Sequence, residues 1–362
     1  MTATGLYHTW LGKLRHLRST EHKARLRTFV WMMVGAMLSR SVHLSHIARK
    51  IPGAAQKTST VRRLSRLMNN GAIRVREWYR PVAEALLRNV ANSGQTIRLL
   101  VDGTKVGAGH QLLMVAVAYR RRAIPIGWTW VKGQRGHSSA AKQCALLAYV
   151  HDLVPAQASV LVVGDSEFGS VAVMRQLEQW QWHYVLRQKG RHLLCTQNPS
   201  GHASPWRRLD SLVQNAGETC WLTHVRFTQR YAFPVNILAY WKAGETRPWL
   251  LTTNLATQRQ TLTAYRRRMW IEEMFGDFKQ HGFDLEATRL RHFLRLSRLT
   301  LVVALLYLWI VAFGSSVIKR GLRYLVDRSD RRDLSIFRIG LDMIERYLTN
   351  GMSLSIRPLH YL

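Results

Sequence analysis

The middle of the chain alternates apolar and polar positions in the way that β-strands require. Three segments at 96–107, 110–121 and 123–131 are rich in apolar and β-branched residues and are separated by turn residues. A helix, a strand, a second helix and a second strand are predicted next, at about 138–153, 158–165, 170–180 and 183–188. Three consecutive strands followed by alternating helices and strands predict a mixed α/β sheet.

The pattern changes on both sides of this region. Residues 1–92 have a mostly helical pattern, whereas 189–250 contain Gly and Pro turns between alternating segments that we interpret as a β-rich insertion. A long helix is predicted at about 258–280. The apolar run "LTLVVALLYLWIVAF" at 299–313 has 15 residues, fewer than the ~20 that span a bilayer. We therefore expect a buried core helix of a soluble protein and no membrane partner.

The chain carries a large excess of positive charge. It has 53 Lys and Arg against 21 Asp and Glu, a formal net charge of +32, while 47% of its residues are hydrophobic. A folded protein with this charge favours a polyanionic partner. Nucleic acid fits best, because neutralised phosphates release counterions, and an anionic membrane surface is the alternative.

Positive charge is concentrated near the N-terminus, where residues 1–90 contain 17 Lys and Arg but three acids. Arg62, Arg63 and Arg66 fall on one side of a predicted helix, and we interpret them as DNA contacts. The alternative is a solvated basic helix. The three cysteines are far apart and form no C-x-x-C pair, and the N-terminus lacks the pattern of a signal peptide. These features predict a cytoplasmic, nucleoid-associated protein without structural zinc.

The segment "YRRRMWIEEMFGDFKQ" at 265–280 places scarce carboxylates inside a basic helix. At 100° per residue, four polar residues share one narrow face beside the apolar stripe: Tyr265, Arg268, Glu272 and Lys279. Two other acids, Glu273 and Asp277, fall on the far side and are predicted to be solvated. The alternative role for Glu272 is an ordinary helical ion pair with Arg268.

Two further carboxylates lie in or after apolar strands. Asp102 lies within "RLLVDGTKV", and Asp165 ends the run "VLVVGD". Each has an alternative explanation, a turn for Asp102 and a helix cap for Asp165. Together with Glu272, however, they form an oxygen-ligand set that suits hard divalent cations. Such ions support phosphodiester chemistry.

These residues resemble a known family. Tyr265, Arg268, Glu272 and Lys279 match, at every spacing, the Tyr-Arg-Glu-Lys signature of insertion-sequence transposases of the insertion-sequence-four kind. These are DDE-type enzymes with a ribonuclease-H-like core, and the two aspartates and the β-rich insertion also fit them. The resemblance covers about 97–300 well and the helical N-terminal region loosely.

The resemblance implies a role for each site residue. Asp102, Asp165 and Glu272 would be catalytic and would bind two Mg²⁺ ions, with Mn²⁺ as a substitute. Arg268 and Lys279 would bind phosphates at the transposon terminus, with Tyr265 beside them. Trp249 resembles an aromatic residue that stacks on a flipped base; its alternative role is as a core residue.

The resemblance also implies a domain plan. Residues 1–92 would form a helical DNA-binding region, 93–188 with 251–313 the ribonuclease-H-like core, 189–250 the insertion, and 314–362 a helical C-terminal region. The fold class is therefore α/β, with a mixed sheet interrupted by the insertion.

The implied function is that of a DNA transposase. It would bind terminal inverted repeats, cleave the transposon ends and join the 3′ hydroxyl to target DNA, as a homodimer in the synaptic complex. The alternatives are a ribonuclease-H-like nuclease or junction resolvase, and a catalytically dead basic DNA-binding protein.

Overall fold

The chain begins with helices in the computed structural model, which describes residues 2–107, 109–133, 138–196, 203–328 and 330–356. Five helices precede the first strand: α1 Ala3–Leu17, α2 Lys23–Ser39, α3 Leu44–Ala48, α4 Lys57–Asn69 and α5 Val75–Asn92. The apolar faces of α4 and α5 are buried while their arginines lie mostly outside. This arrangement follows from the helical spacing of their apolar residues.

The central part of the chain forms strands with two helices between them. The elements are β1 Ile97–Val106, β2 His110–Tyr119, β3 Arg122–Lys132, α6 Ala140–His151, β4 Val160–Gly164, α7 Val171–Gln179 and β5 His183–Arg187. Strand β2 is antiparallel to β1 and β3, whereas β4 is parallel to β1 and β5. The predicted mixed α/β architecture is confirmed.

The strands that follow extend the same sheet. They are β6 Leu193–Cys195, β7 Arg207–Arg208, β8 Thr219–Phe227, β9 Phe233–Tyr240 and β10 Trp249–Thr253. The sheet has ten strands among the described residues, in the order β3-β2-β1-β4-β5-β10-β9-β8-β6-β7. The segment that we interpreted as an insertion therefore adds its strands beyond β10, rather than forming a separate sheet.

The prediction of a single helix at 258–280 is wrong in one respect, because this segment forms two helices. The last helices are α8 Gln258–Tyr265, α9 Met269–Phe278, α10 Phe293–Lys319 and α11 Ile336–Thr349. Between α8 and α9, the amides of Arg267 and Arg268 donate to the carbonyls of Ala264 and Tyr265, three residues back. This tighter turn interrupts the regular 100° spacing, so Tyr265 belongs to a different helix from Glu272.

The apolar run 299–313 lies in the interior of α10. This is the one helix among the described residues that is long and apolar enough to cross a membrane, and 89% of its most apolar window is buried within the protein. It packs on β3, where the indole of Trp130 donates to the Thr300 hydroxyl at 3.1 Å. The expectation of a buried core helix agrees with this packing.

Helices α10 and α11 cross at two glycines. A Cβ added to Gly314 would lie 2.1 Å from the carbonyl oxygen of Ile336, and one added to Gly340 would lie 2.1 Å from that of Ile310. Because the obstructing atoms are backbone, the helices would have to separate to accept a side chain. These two positions therefore fix how α11 docks on the core.

We expect Gly314→Ala to lower the free energy of unfolding by about 1–3 kcal/mol, the usual cost of overpacking. Gly12→Ala is the matched control, since Gly12 is also within a helix but has no neighbour within 4 Å of an added Cβ. Alanine should raise stability there by roughly 0.5–1 kcal/mol through helix propensity. Denaturant unfolding of both variants measures the difference, and a stabilised Gly314→Ala variant would contradict the close crossing.

Candidate active site

Asp102 lies in the middle of a central strand. It is 1% exposed on β1, between β2 and β4, and its Oδ1 accepts a 2.7 Å hydrogen bond from the Gly103 amide. Burial, and then the charge of Asp165, raise the pKa of Asp102 to about 7, while the Arg268 guanidinium opposes the rise. A carboxylate in this position is costly without a positive partner.

Arg268 supplies that partner and connects two carboxylates. Its Nη1 lies 3.3 Å from Asp102 Oδ2, and its Nη2 lies 2.5 Å from Glu272 Oε1. The side chain of Arg268 is 11% exposed, so the bridge is largely shielded from water. Glu272 is four residues further on, in the first turn of α9, and reaches the same guanidinium. The ion pair with Arg268, which was the alternative role for Glu272, is thus present, and Asp102 contacts the same guanidinium from the sheet.

Asp165 follows directly after β4, next to β1. Its Oδ1 accepts a 2.9 Å hydrogen bond from the Glu167 amide, which holds the carboxylate within its own turn. Asp165 and Glu272 both line a cleft of about 570 Å³ together with Arg268. The three carboxylates of the sequence prediction therefore come from β1, the β4–α7 loop and α9, and lie on one side of the sheet near Arg268.

The sequence analysis missed Glu167, which fastens the β4–α7 loop. Its carboxylate accepts hydrogen bonds from Gln111 Nε2 at 2.8 Å, and from the amide and hydroxyl of Ser138. Gln143 donates to its backbone carbonyl at 2.9 Å. Side chains from β2 and from the start of α6 therefore converge on the loop that carries Asp165. The fully buried glutamine on an apolar strand, Gln111, is the sequence signal that could have revealed this network.

Helix α9 is attached to the sheet by an ion pair on its opposite side. Arg122 at the start of β3 places Nε 2.9 Å from Asp277 Oδ2 and Nη1 3.1 Å from Glu273 Oε2. The predicted solvation of Asp277 is wrong, since this residue is 2% exposed, while Glu273 is exposed as expected. Helix α9 packs with Asp277 facing Arg122 of the edge strand β3, which buries it. Helical spacing alone could not indicate this contact.

Comparison with known proteins decides the family. The family model for the transposase DDE domain matches residues 93–309, which is more than half of the chain. The chain belongs to this transposase family. Its assignment to the insertion-sequence-four kind remains a resemblance carried by the signature residues. No curated protein matches the chain.

Among solved structures, the transposase is similar to a piggyBac transposase in a synaptic complex with hairpin DNA. The identity is 10% and the TM-score is 0.41, over 98% of this chain and 82% of that one. At this level the likeness adds nothing about the site.

Two aromatic residues of the transposase lie beside this cleft. The Tyr265 ring is 2% exposed and meets the Trp249 ring edge-on, with 5.0 Å between centroids. Burial raises the pKa of Tyr265, and Arg187 and Arg268 partly oppose the rise. Arg187 lies beside the Tyr265 hydroxyl, which has no partner of good hydrogen-bond geometry among the described residues. Trp249 is half-buried at the start of β10, so its position is compatible both with stacking and with a role in the core.

Lys279 is separated from the other signature residues. It follows the end of α9, and its Nζ lies 2.8 Å from the Lys105 carbonyl on β1 and 2.8 Å from Glu286 Oε1. The structure therefore brings Arg268 to Asp102 and Glu272. Lys279 instead contacts β1 at Lys105, three residues from Asp102, and pairs with Glu286.

The cleft also contains cations that sequence reasoning did not single out. Arg187 at the end of β5, Lys189 and Arg247 line it together with three acids, Asp165, Asp210 and Glu272. Lys189 and Arg247 are exposed, and none of the three has an ion-pair partner within the described ranges. The lining thus combines basic and acidic side chains, which suits a phosphodiester held next to a cation site.

The predicted DNA contacts of the N-terminal region lie on a different surface. Arg62, Arg63 and Arg66 are exposed on α4, which packs on α2, α3 and α10. Arg63 and Arg66 line a groove with His22 and Arg25 of the preceding helical segment. The three arginines remain candidates for contact with DNA outside the cleft.

We expect Glu167→Gln to lower DNA cleavage by about tenfold, because one of the two half-buried acceptor oxygens becomes an amide donor that faces other donors, at a cost of roughly 1–3 kcal/mol in the placement of Asp165. DNA binding should be unchanged. Single-turnover cleavage and a gel shift on the same duplex separate the two effects. Glu178→Gln on α7, which keeps an acceptor for Tyr184, is the control. Equal losses in both variants would remove the positioning role.

The raised pKa of the buried Asp277 carboxyl predicts a pH dependence of stability. Burial raises the pKa of Asp277 from 3.8 to about 7. The folded state therefore binds this proton more tightly than the unfolded state, and the resulting stability is lost as the pH rises through 7. From about pH 5 to pH 7, wild type should lose roughly 2–3 kcal/mol more than Asp277→Asn. Denaturant unfolding across this range measures it.

Asp152→Asn is the matched control, because the Asp152 side chain is 71% exposed. Its stability should follow the wild-type pH dependence. Parallel curves for wild type and Asp277→Asn would contradict the role given to Asp277.

Proposed function

We propose that the transposase binds terminal inverted repeats, cleaves DNA at the transposon ends and joins the 3′ hydroxyl to target DNA. The observation that supports this best is that Arg268 contacts both Asp102 and Glu272, beside a cleft that Asp165 lines together with Arg187, Lys189 and Arg247. A phosphodiester substrate matches this pairing of acidic and basic groups, since it needs charge neutralisation and a cation at the reacting phosphate.

The donor set fits divalent cations by its chemistry. Carboxylate oxygens are the ligands that Mg²⁺ prefers, and the repulsion that helps raise the pKa of Asp102 would be relieved by a cation. Among the described residues, no three His, Cys, Asp or Glu side chains lie close enough to hold a metal ion as they stand. Instead, Arg268 provides the positive charge between Asp102 and Glu272. The proposed ligands would therefore exchange this guanidinium for cations.

In the proposed mechanism, Asp102, Asp165 and Glu272 would hold two Mg²⁺ ions, or Mn²⁺ in their place. When bound, such ions stabilise the attacking and leaving oxygens of a phosphodiester. Arg268, released from its carboxylates, and Lys279 bind phosphates of the transposon end. Glu167 and the Arg122–Asp277 pair keep the loop after β4 and helix α9 in place, so that the carboxylates remain oriented.

The remaining proposed contacts lie around this centre. Tyr265 and Trp249 border the cleft, where a stacked base could rest on the indole. The basic face of α4 holds the flanking duplex. Two copies of the chain bridge two transposon ends in the synaptic complex.

The sharpest test separates two neighbouring glutamates. Glu272→Gln keeps the shape of the side chain but removes the charge that a hard cation requires, so metal-dependent cleavage should fall to background while DNA binding persists. Glu273→Gln is the matched control, because Glu273 faces Arg122 on the other side of α9 and is half exposed. It should retain substantial cleavage.

The measurement is cleavage of a labelled duplex that carries the inverted repeat flanking the gene, with a gel shift on the same DNA. A dead Glu273→Gln variant beside an active Glu272→Gln variant would show that the wrong glutamate has been assigned. If the wild-type protein binds this duplex but never cuts it, the alternative of a catalytically dead basic DNA-binding protein would be supported instead.

The face of α4 predicts a salt dependence. Each phosphate contact adds about 0.9 to the slope of log affinity against log salt, so the triple variant Arg62→Ala, Arg63→Ala, Arg66→Ala should reduce that slope by up to about 2.7. Arg331→Ala is the control, since Arg331 is exposed but paired with Asp333. An unchanged slope in the triple variant would exclude α4 from the DNA interface.

A further inference from the structure

Exposed apolar side chains lie among arginines where α10 begins. Leu294 is 71% and Phe293 40% exposed, and Leu294 has the highest value among the exposed large hydrophobic residues of the described chain. The segment 289–298 has no acid and four arginines: Arg289, Arg291, Arg295 and Arg298. None of these arginines pairs with a carboxylate in the described ranges, where Arg295 contacts Asn69 and Arg298 contacts backbone carbonyls. This surface is therefore apolar at its tip and positive around it.

A cavity of about 590 Å³ opens beside the two apolar residues. Its walls are largely aromatic, with contributions from Tyr79, Trp128, Trp130 and Tyr149. The two indoles donate their N–H groups to Ser297 and Thr300, so the walls offer rings rather than unpaired polar atoms. The volume is within the ~300–1,000 Å³ of small-molecule sites. The cavity can thus accept a planar group the size of a nucleobase.

Arg298 makes this cavity electropositive. It is 5% exposed, and its guanidinium donates to the carbonyls of Ile73 at 3.1 Å and Met68 at 2.7 Å. A buried cation without an anionic partner is costly, and an anion at the cavity mouth would offset that cost. Aromatic walls with a buried arginine therefore suit a group that is planar and attached to a phosphate.

The segment lies at the far end of the strand that carries Asp102. The Phe293 ring meets the His110 ring edge-on at 5.8 Å, and His110 Nε2 lies 2.9 Å from the Arg291 carbonyl. His110 pairs with Val106, four residues along β1 from Asp102. At ~3.3 Å per residue, Val106 is about 13 Å along the strand from Asp102, so the segment lies away from the candidate active site.

We propose that Phe293 and Leu294 form a wedge that enters a base step of duplex DNA outside the cleft that contains Asp165 and Glu272. The aromatic cavity receives the unstacked base beside Arg298, and the exposed Arg289 and Arg291 hold the flanking phosphates. Apolar wedges of this kind unstack a step at a cost of a few kcal/mol and gain contacts with the bent duplex. The proposal rests on the proposed function for its DNA substrate, and the wedge is distinct from Trp249.

Charge favours DNA over the other partners for this surface. A second copy of the chain also carries +32, so pairing two such arginine-rich faces would be repulsive. A membrane helix needs a continuous exposed apolar face, but α10 is buried from Leu296 through most of its length. Only two neighbouring apolar side chains, Phe293 and Leu294, are exposed, which is enough to enter one base step but too little to bind a lipid surface.

The test measures binding without divalent metal, so it does not depend on cleavage. The probes are a short duplex and the same duplex with one mismatched pair, which lowers the cost of unstacking. Wild type should bind the mismatched duplex about tenfold more tightly. Leu294→Ser should lose this preference and bind the two duplexes with equal affinity. A 2-aminopurine beside the mismatch should brighten with wild type and not with the variant.

Tyr324→Ala is the matched control, because Tyr324 is 64% exposed and follows Arg323 but lies outside the wedge. It should keep the preference. Equal binding of both duplexes by wild type, or an unchanged preference in Leu294→Ser, overturns the wedge.

Two other results would overturn the proposal in favour of a different partner. The first is loss of binding to phosphatidylserine vesicles in Leu294→Ser with its DNA preference intact. The second is a shift of that variant from dimer to monomer with the same DNA preference. If wild type prefers the mismatched duplex but never cleaves, the proposed function fails and the wedge stands. Cleavage without the preference removes only the wedge.

Discussion

The structure of the candidate site depends on one guanidinium that neutralises two carboxylates from distant parts of the chain. Asp102 lies on β1, the third strand from one edge of the sheet of ten described strands, and Arg268 is 166 residues further along. Without a positive partner, a buried carboxylate in this position would become protonated, or the strand would have to shift so that the carboxylate reached water. By contacting Asp102 and Glu272 together, Arg268 brings β1 and the first turn of α9 into one arrangement.

The same requirement explains where other scarce acids lie. The chain has 21 acids against 53 basic residues, yet several acids are buried or half-buried at the junction between the sheet and α9. Each has a specific partner: Arg122 for Asp277, and amides and a hydroxyl for Glu167. Buried ion pairs contribute little net stability, because desolvation offsets the attraction, but removing one partner is costly. These contacts therefore specify the position of α9 and of the β4–α7 loop more than they stabilise the fold.

The order of strands and helices could be predicted from the sequence, because each apolar run between turn residues is long enough to identify. The predicted strand at 96–107 corresponds to β1 Ile97–Val106, and the apolar run at 299–313 lies within α10. The environment of Asp277 could not be predicted, because the residue that buries it, Arg122, is on a strand far away in the sequence. Glu167 was missed for the same reason: its partners lie on β2 and before α6, and Gln111 in an apolar strand indicates a buried polar contact without identifying its partner.

The signature spacing is satisfied by three elements rather than by one helical face. Tyr265 ends α8, Arg268 and Glu272 lie four residues apart at the start of α9, and Lys279 follows its end. Arg268 keeps helical dihedrals as the cap of α9, so its contact with Glu272 survives the turn that separates Tyr265. Lys279 leaves the helix and reaches back to β1 at Lys105, three residues from Asp102. The spacing therefore places two cations along β1: Arg268 at Asp102 and Lys279 at Lys105, near the end of the strand. A single helical face does not place them in this way.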